Sequence, residues 1–123
     1  MLSLLVLTLP VISASVVSNL EIRDDDTEPV GWKPYGCHFD CYDGMNRYLP
    51  YMAYASDYNT PRMCTEACAK EGYKFAGVQF ARECWCGNEI RGQPTNDMDC
   101  FMECPFYKCK CGGPCRNFIY GLE

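Results

Sequence analysis

Between Thr60 and Asn88 the spacing of apolar and polar positions changes period once, from helical to alternating. The stretch TPRMCTEACAKEG offers Thr60 as an N-cap, Pro61 for the first helical position and Gly72 for the exit, which predicts a short helix from Pro61 to about Glu71. On it Cys64 and Cys68 are four apart and share one face. YKFAGVQF, residues 73–80, is rich in aromatic and branched side chains and predicts a strand. Ala81 and Arg82 then make a tight connection to a second strand, ECWCG. Strand alternation turns Cys84 and Cys86 one way and Trp85 the other. Four helical residues advance about 6 Å and two strand residues about 6.7 Å. A strand laid along the helix therefore sets each thiol of one pair opposite a thiol of the other. Two adjacent disulfides follow, either Cys64 with Cys84 and Cys68 with Cys86 or the crossed pairing, and spacing does not choose between them.

Upstream the pattern is different. The chain opens with an apolar run from Leu2 to Ile12 followed by small residues, the layout of a secretory signal peptide over 1–15. At about a dozen residues the run is short of the roughly 20 that span a bilayer, and no second apolar run follows. Residues 16–34 read as a solvated acidic arm, with the domain proper at 35–123. Net charge is −5, of which residues 21–33 hold −3 and the chain from Cys37 onward −2. Asp24, Asp25 and Asp26 lack the spaced ligands and glycine of a calcium loop. The absence of a basic patch excludes a nucleic-acid partner.

Composition explains how so short a domain holds together. All 11 cysteines lie after residue 36, and in an exported chain they persist as disulfides that replace missing hydrophobic burial. A zinc site from the thiolates at 64, 68, 84 and 86 is the rival; export and the lack of paired histidines weigh against it. His38, the sole histidine, reads as a half-exposed strand residue. No metal or cofactor is expected. An enzyme is not expected either: Ser56 is the only serine from residue 35 on, His38 is the lone base, and no CxxC redox pair occurs.

The chain resembles the WSC domain, a family of extracellular cysteine-rich modules. The resemblance rests on YGC at 35–37, RYLP at 47–50, TPRMCTEACAKEGYKFAGVQFARECWCGN at 60–88, DCFMEC at 99–104, CGG at 111–113 and the IY at 119–120. It implies a small disulfide-rich α+β fold like that of PAN and apple domains, one short helix packed on an antiparallel sheet. It also implies four pairs: Cys37 with Cys100, Cys64 with Cys84, Cys68 with Cys86, and Cys104 with Cys111. Cys41, Cys109 and Cys115 are extra to the family's eight. If the last strand lies beside the first, Cys41 with Cys115 is the natural additional pair. Cys109 with Cys115 is an alternative, and an odd thiol at Cys109 can also bond a second chain.

The same resemblance implies carbohydrate binding, with a cell-wall or matrix polysaccharide as partner. Sugar rings pack on flat aromatic side chains and need amide or carboxylate groups for their hydroxyls. Trp85, turned away from the disulfide face, is the first candidate, with Asn88 just after it. Tyr48, Tyr51, Tyr54 and Tyr58 form a second cluster in what reads as a loop between strand and helix, where recognition residues commonly sit; Asp57 and Asn59 would supply polar contacts. The alternative is a secreted module that binds an extracellular protein, for which an exposed aromatic patch serves equally well. With no serine- and threonine-rich stalk and no membrane helix, the chain reads as a free-standing secreted module.

Overall fold

The computed structural model describes residues 24–41 and 47–123; the expected signal peptide and residues 16–23 of the arm lie outside them. Five strands form one antiparallel sheet: β1 (Trp32–Phe39), β2 (Tyr51–Ala55), β3 (Phe75–Gln79), β4 (Glu83–Gly87) and β5 (Arg116–Leu122), in the order β1-β5-β3-β4-β2. One helix, α1 (Pro61–Lys70), lies across one side of it. The fold is thus α+β, a short helix on an antiparallel sheet stapled by disulfides.

The ends of α1 follow from local chemistry. Thr60 Oγ1 accepts the N–H of Met63 at 3.0 Å, satisfying a donor that the first turn leaves open. At the other end Gly72 adopts φ +84°, a left-handed conformation that a Cβ would disfavour. The next amide, Tyr73 N, donates to Cys68 O. Pro61, Cys64, Thr65 and Cys68 make the buried face.

That face meets Ala76, Val78, Cys84 and Cys86, which alternation puts on one side of β3 and β4. Cys64 bonds Cys84 and Cys68 bonds Cys86, with Cα separations of 5.4 and 5.5 Å. Those sulfurs are spent in S–S bonds, so they are not the thiolates that zinc requires. Cys37–Cys100 and Cys41–Cys115 tie the far end of the sheet.

Two expectations are corrected. Residues 24–34 are not a solvated arm: β1 begins at Trp32, which pairs with Leu122 and is buried in the core, and Thr27 is 2% exposed beside α1. Arg62 Nε also donates to Glu28 O at 2.8 Å. Burial of the indole and the ladder to β5 outweigh the acidity of the segment. His38 is buried, not half-exposed, with Nδ1 3.1 Å from Gly36 O.

The opposite side of the sheet is filled by the segment Arg47–Pro50. A Cβ on Gly77 or Gly87 would stand 2.8 or 2.9 Å from the Leu49 side chain, so the two glycines make the groove that this leucine, 1% exposed, occupies. Asp40 anchors the segment by accepting the amides of Tyr48 and Leu49 at 2.7 and 3.3 Å.

Candidate ligand-binding face

The structure separates the eight candidate residues into three places. Tyr54 and Asn59 turn inward. The expected loop around them is in part strand β2, which pairs with β4 so that Tyr54 opposes Cys84 and faces the helix. Its hydroxyl donates to Asn59 Oδ1, and burial pushes its phenol well above the usual tyrosine range. Asn59 is fully buried, and its Nδ2 donates to Ala81 O at 2.8 Å. A side chain so committed ties the α1 entry to the β3–β4 connection and does not meet a ligand, so both residues leave the candidate set.

Asp57 and Tyr58 sit beyond the end of β2. Asp57 pairs with Arg82 at 2.7 Å, both exposed. Tyr58, 58% exposed, packs its ring 5.4 Å from that of Phe106. With Thr60, Met63, Glu66 and Tyr107 it lines a shallow hollow beside the start of α1.

Tyr48, Asn88, Tyr51 and Trp85 gather around the other end of β4. Tyr48 and Asn88 line a hollow of about 210 Å³ with Arg47, Tyr73, Glu89 and Arg91. Asn88 Oδ1 accepts the amide of Lys74 at 3.1 Å, which orients the side chain and leaves its NH2 group uncommitted to that bond. Tyr51 borders the hollow by stacking on Tyr73, centroids 5.3 Å apart and planes 19° from parallel. Arg91 and Glu89 form an exposed ion pair at 3.0 Å.

Trp85 lies on the sheet face away from the helix, but it is not an open platform. Its indole N–H donates to Glu83 Oε1 at 2.9 Å, and the Arg47 guanidinium lies 5.0 Å from the ring centroid, a favourable cation–π placement. Arg47 thus roofs the indole and at the same time forms one wall of the hollow. Sequence reading missed Arg47, Tyr73, Glu89 and Arg91. The RYLP and EGYKF stretches carried no chemical signature of a site; only the antiparallel pairing of β2 with β4 brings their segments together.

No helix among the described residues is long and apolar enough to cross a membrane. The WSC domain family matches residues 35–113. A WSC domain-containing protein of Arthroderma benhamiae is 34% identical over 95 residues, which is 75% of this chain and 10% of that protein. Xylosyltransferase oxt of Drosophila pseudoobscura pseudoobscura is 40% identical over 48 residues, 37% of this chain and 6% of that protein. Kremen protein 2 of Mus musculus is 37% identical over 68 residues, 52% of this chain and 15% of that protein. The chain therefore spans only a small part of the length of these relatives, and what it shares with them is one extracellular, cysteine-rich module. On the matched residues, the helix, the sheet and the disulfides that join them, the chain belongs to the WSC domain family.

Proposed function

We propose that the chain is a secreted, non-catalytic module that binds polysaccharide through the hollow between Arg47–Pro50 and Gly87–Arg91. The observation that carries this reading is the composition of that hollow: two tyrosine rings, Tyr48 and Tyr73, beside an oriented amide and the charged groups of Glu89, Arg47 and Arg91. Aromatic rings accept the C–H faces of a sugar, and polar groups held by the fold meet its hydroxyls without the cost of ordering them on binding. Tyr51, stacked on Tyr73 and 38% exposed, extends the aromatic surface for a second sugar unit. Trp85 contributes by holding Arg47 in place. Relatives named as xylosyltransferases carry the same module, which agrees with a role near glycans.

The test is retention on insoluble glucan, chitin and xylan. The unaltered chain is retained on at least one, and Tyr73→Ala and Asn88→Ala each lower retention several-fold while Tyr58→Ala does not. Failure of the unaltered chain to bind any polysaccharide overturns the reading.

A second reading has its own observation. Tyr58, Phe106 and Met63 are all exposed around the hollow at the start of α1, and an exposed aromatic and methionine cluster suits a protein partner. Loss of a protein partner in Tyr58→Ala, with polysaccharide retention intact, distinguishes it.

A further inference from the structure

Three sulfurs compete for two bonding places at the end of the sheet. Eight of the 11 cysteines are paired as 37–100, 41–115, 64–84 and 68–86, which leaves Cys104, Cys109 and Cys111. Their sulfurs lie within 4.8 Å of one another, and Cys104 is within bonding reach of both others. A disulfide sulfur joins one partner, so one S–S bond and one thiol are shared among the three.

The backbone explains why neither partner is excluded. Residues 102–112 form a narrow hairpin, in which Cys104 N donates to Cys109 O at 2.8 Å and Cys111 N to Met102 O at 2.8 Å. Cys109 and Cys111 are two apart on one limb, so their side chains leave the same side, with Cys104 facing them from the other limb. The Cα of Cys104 is 5.4 Å from that of Cys109 and 4.9 Å from that of Cys111. Both separations lie inside the range that a disulfide bridges without moving the backbone.

We infer that Cys104, Cys109 and Cys111 form a thiol–disulfide exchange site, in which one thiol passes between Cys109, where an external disulfide can meet it, and Cys111, where the fold hides it. With Cys104 bonded to Cys111, the thiol is at Cys109, which is half-buried. The Cys109 thiolate attacks Cys104 Sγ; the Cys104–Cys109 bond forms as the Cys104–Cys111 bond breaks, and Cys111 leaves as a thiolate that takes up the proton Cys109 lost. No electrons are gained or lost overall. Cys111 is 0% exposed, so the second state presents no thiol to solvent. The first state reacts with a small disulfide RSSR to give the Cys109 mixed disulfide and one RS⁻.

The exchange also redraws a wall of the Tyr58 hollow. Bonded to Cys111, Cys104 closes a loop over residues 105–110; bonded to Cys109, it closes a tighter one over 105–108. Phe106 and Tyr107 lie in both, and they are the residues that pack on Tyr58 and line that hollow. The site is separate from the hollow proposed for polysaccharide and stands whether or not that reading does.

Lys108 and Lys110 flank Cys109, so trypsin places the three cysteines on three different peptides. The oxidised chain is acid-quenched, unfolded in saturating N-ethylmaleimide and digested, and the labelled peptides are quantified by mass spectrometry. A single label per chain, divided between the Cys109 and Cys111 peptides, is expected. In the folded chain, prior incubation with oxidised glutathione draws all of the thiol into a Cys109 adduct, faster as pH rises because the thiolate is the attacking species. Label confined to Cys109, confined to Cys111, on Cys104, or on none of the three overturns the proposal. So does a Cys111-labelled fraction that glutathione disulfide leaves unchanged.

Discussion

The two sides of the sheet are stabilised by different chemistry. Toward the helix, Ala76, Val78, Cys84 and Cys86 meet Cys64 and Cys68 in an apolar layer crossed by two disulfides. Away from it, Gly77, Gly87 and Asn117 surround Leu49, Gln79 reaches Cys41, and both polar side chains are buried as deeply as the leucine. Among the described residues Gln79 Oε1, Asn117 Oδ1 and Asp40 Oδ2 are buried with no hydrogen-bond partner, a costly condition in a protein interior. The helix side is overdetermined, by burial and by covalent bonds together. The other side has Leu49 in a groove of glycines, a carboxylate that holds its segment and the Cys41–Cys115 bond beside Gln79. It supplies the Arg47–Pro50 wall of the candidate hollow, while Tyr73 of the opposite wall packs on the helix-side cluster.

The comparison is tested first on the covalent side. The Cys64–Cys84 bond closes a sequence separation of 20, for which chain entropy assigns about 3 kcal/mol. Cys64→Ala with Cys84→Ala should lower unfolding free energy in urea by about that amount, yet leave polysaccharide retention unchanged in the chain that remains folded. On the other side Leu49→Ala should cost about 2 to 3 kcal/mol, as a large-to-small change in a packed site does. It should also abolish retention, because Tyr48 and Pro50 of the hollow lose their anchor. Gly77→Ala is smaller, about 1 to 2 kcal/mol: the nearest atoms to the added methyl belong to the side chains of Asn117 and Leu49 and not to backbone, and these must move to admit it.

The helix side was legible in the sequence and the other side was not. TPRMCTEACAKEG announces its own cap, its exit and its buried face, and ECWCG states by alternation which side its cysteines take. These signals are local, because helix and strand periods are properties of neighbouring residues. Strand β2 was hidden for the opposite reason. YMAYA has no clean alternation, being an edge strand with exposed or half-buried positions throughout, and only its pairing with β4 makes it a strand. The hollow shares that fate: Arg47, Tyr73 and Asn88 are 26 and 15 residues apart along the chain and meet through tertiary pairing alone. Trp85 was placed on the correct side by alternation, but its roof, Arg47, comes from the segment that Asp40 anchors. The extended role of residues 24–34 was masked by their charge, because Trp32 pays its way through a ladder to β5 that composition does not reveal.

The smallest expected effect separates the two sides by pH. Burial raises the Asp40 carboxyl above its ordinary value, while the amides of Tyr48 and Leu49 and the charge of Arg47 pull the other way without cancelling it. A carboxyl raised on folding binds its proton more tightly in the folded chain than in the unfolded one. Its contribution is therefore fully present below the ordinary carboxylate value and is lost as pH rises through the raised folded value. Asp40→Asn keeps an oxygen to accept the two amides and removes the buried charge, so its net effect near neutral pH should be within about 1 kcal/mol. Urea midpoints measured from about pH 3 to 7 for both chains isolate Asp40 and the one carboxylate coupled to it, Glu83, whose charge adds to the rise; carboxylates not coupled to Asp40 cancel in the difference. Stability of the unaltered chain relative to Asp40→Asn should fall as pH rises across that window; a difference that is flat or rises means that the Arg47 charge, 3.8 Å from Asp40 Oδ2, outweighs burial. The same difference taken for the Cys64 and Cys84 double variant should be level with pH, because a disulfide on the apolar side titrates nothing.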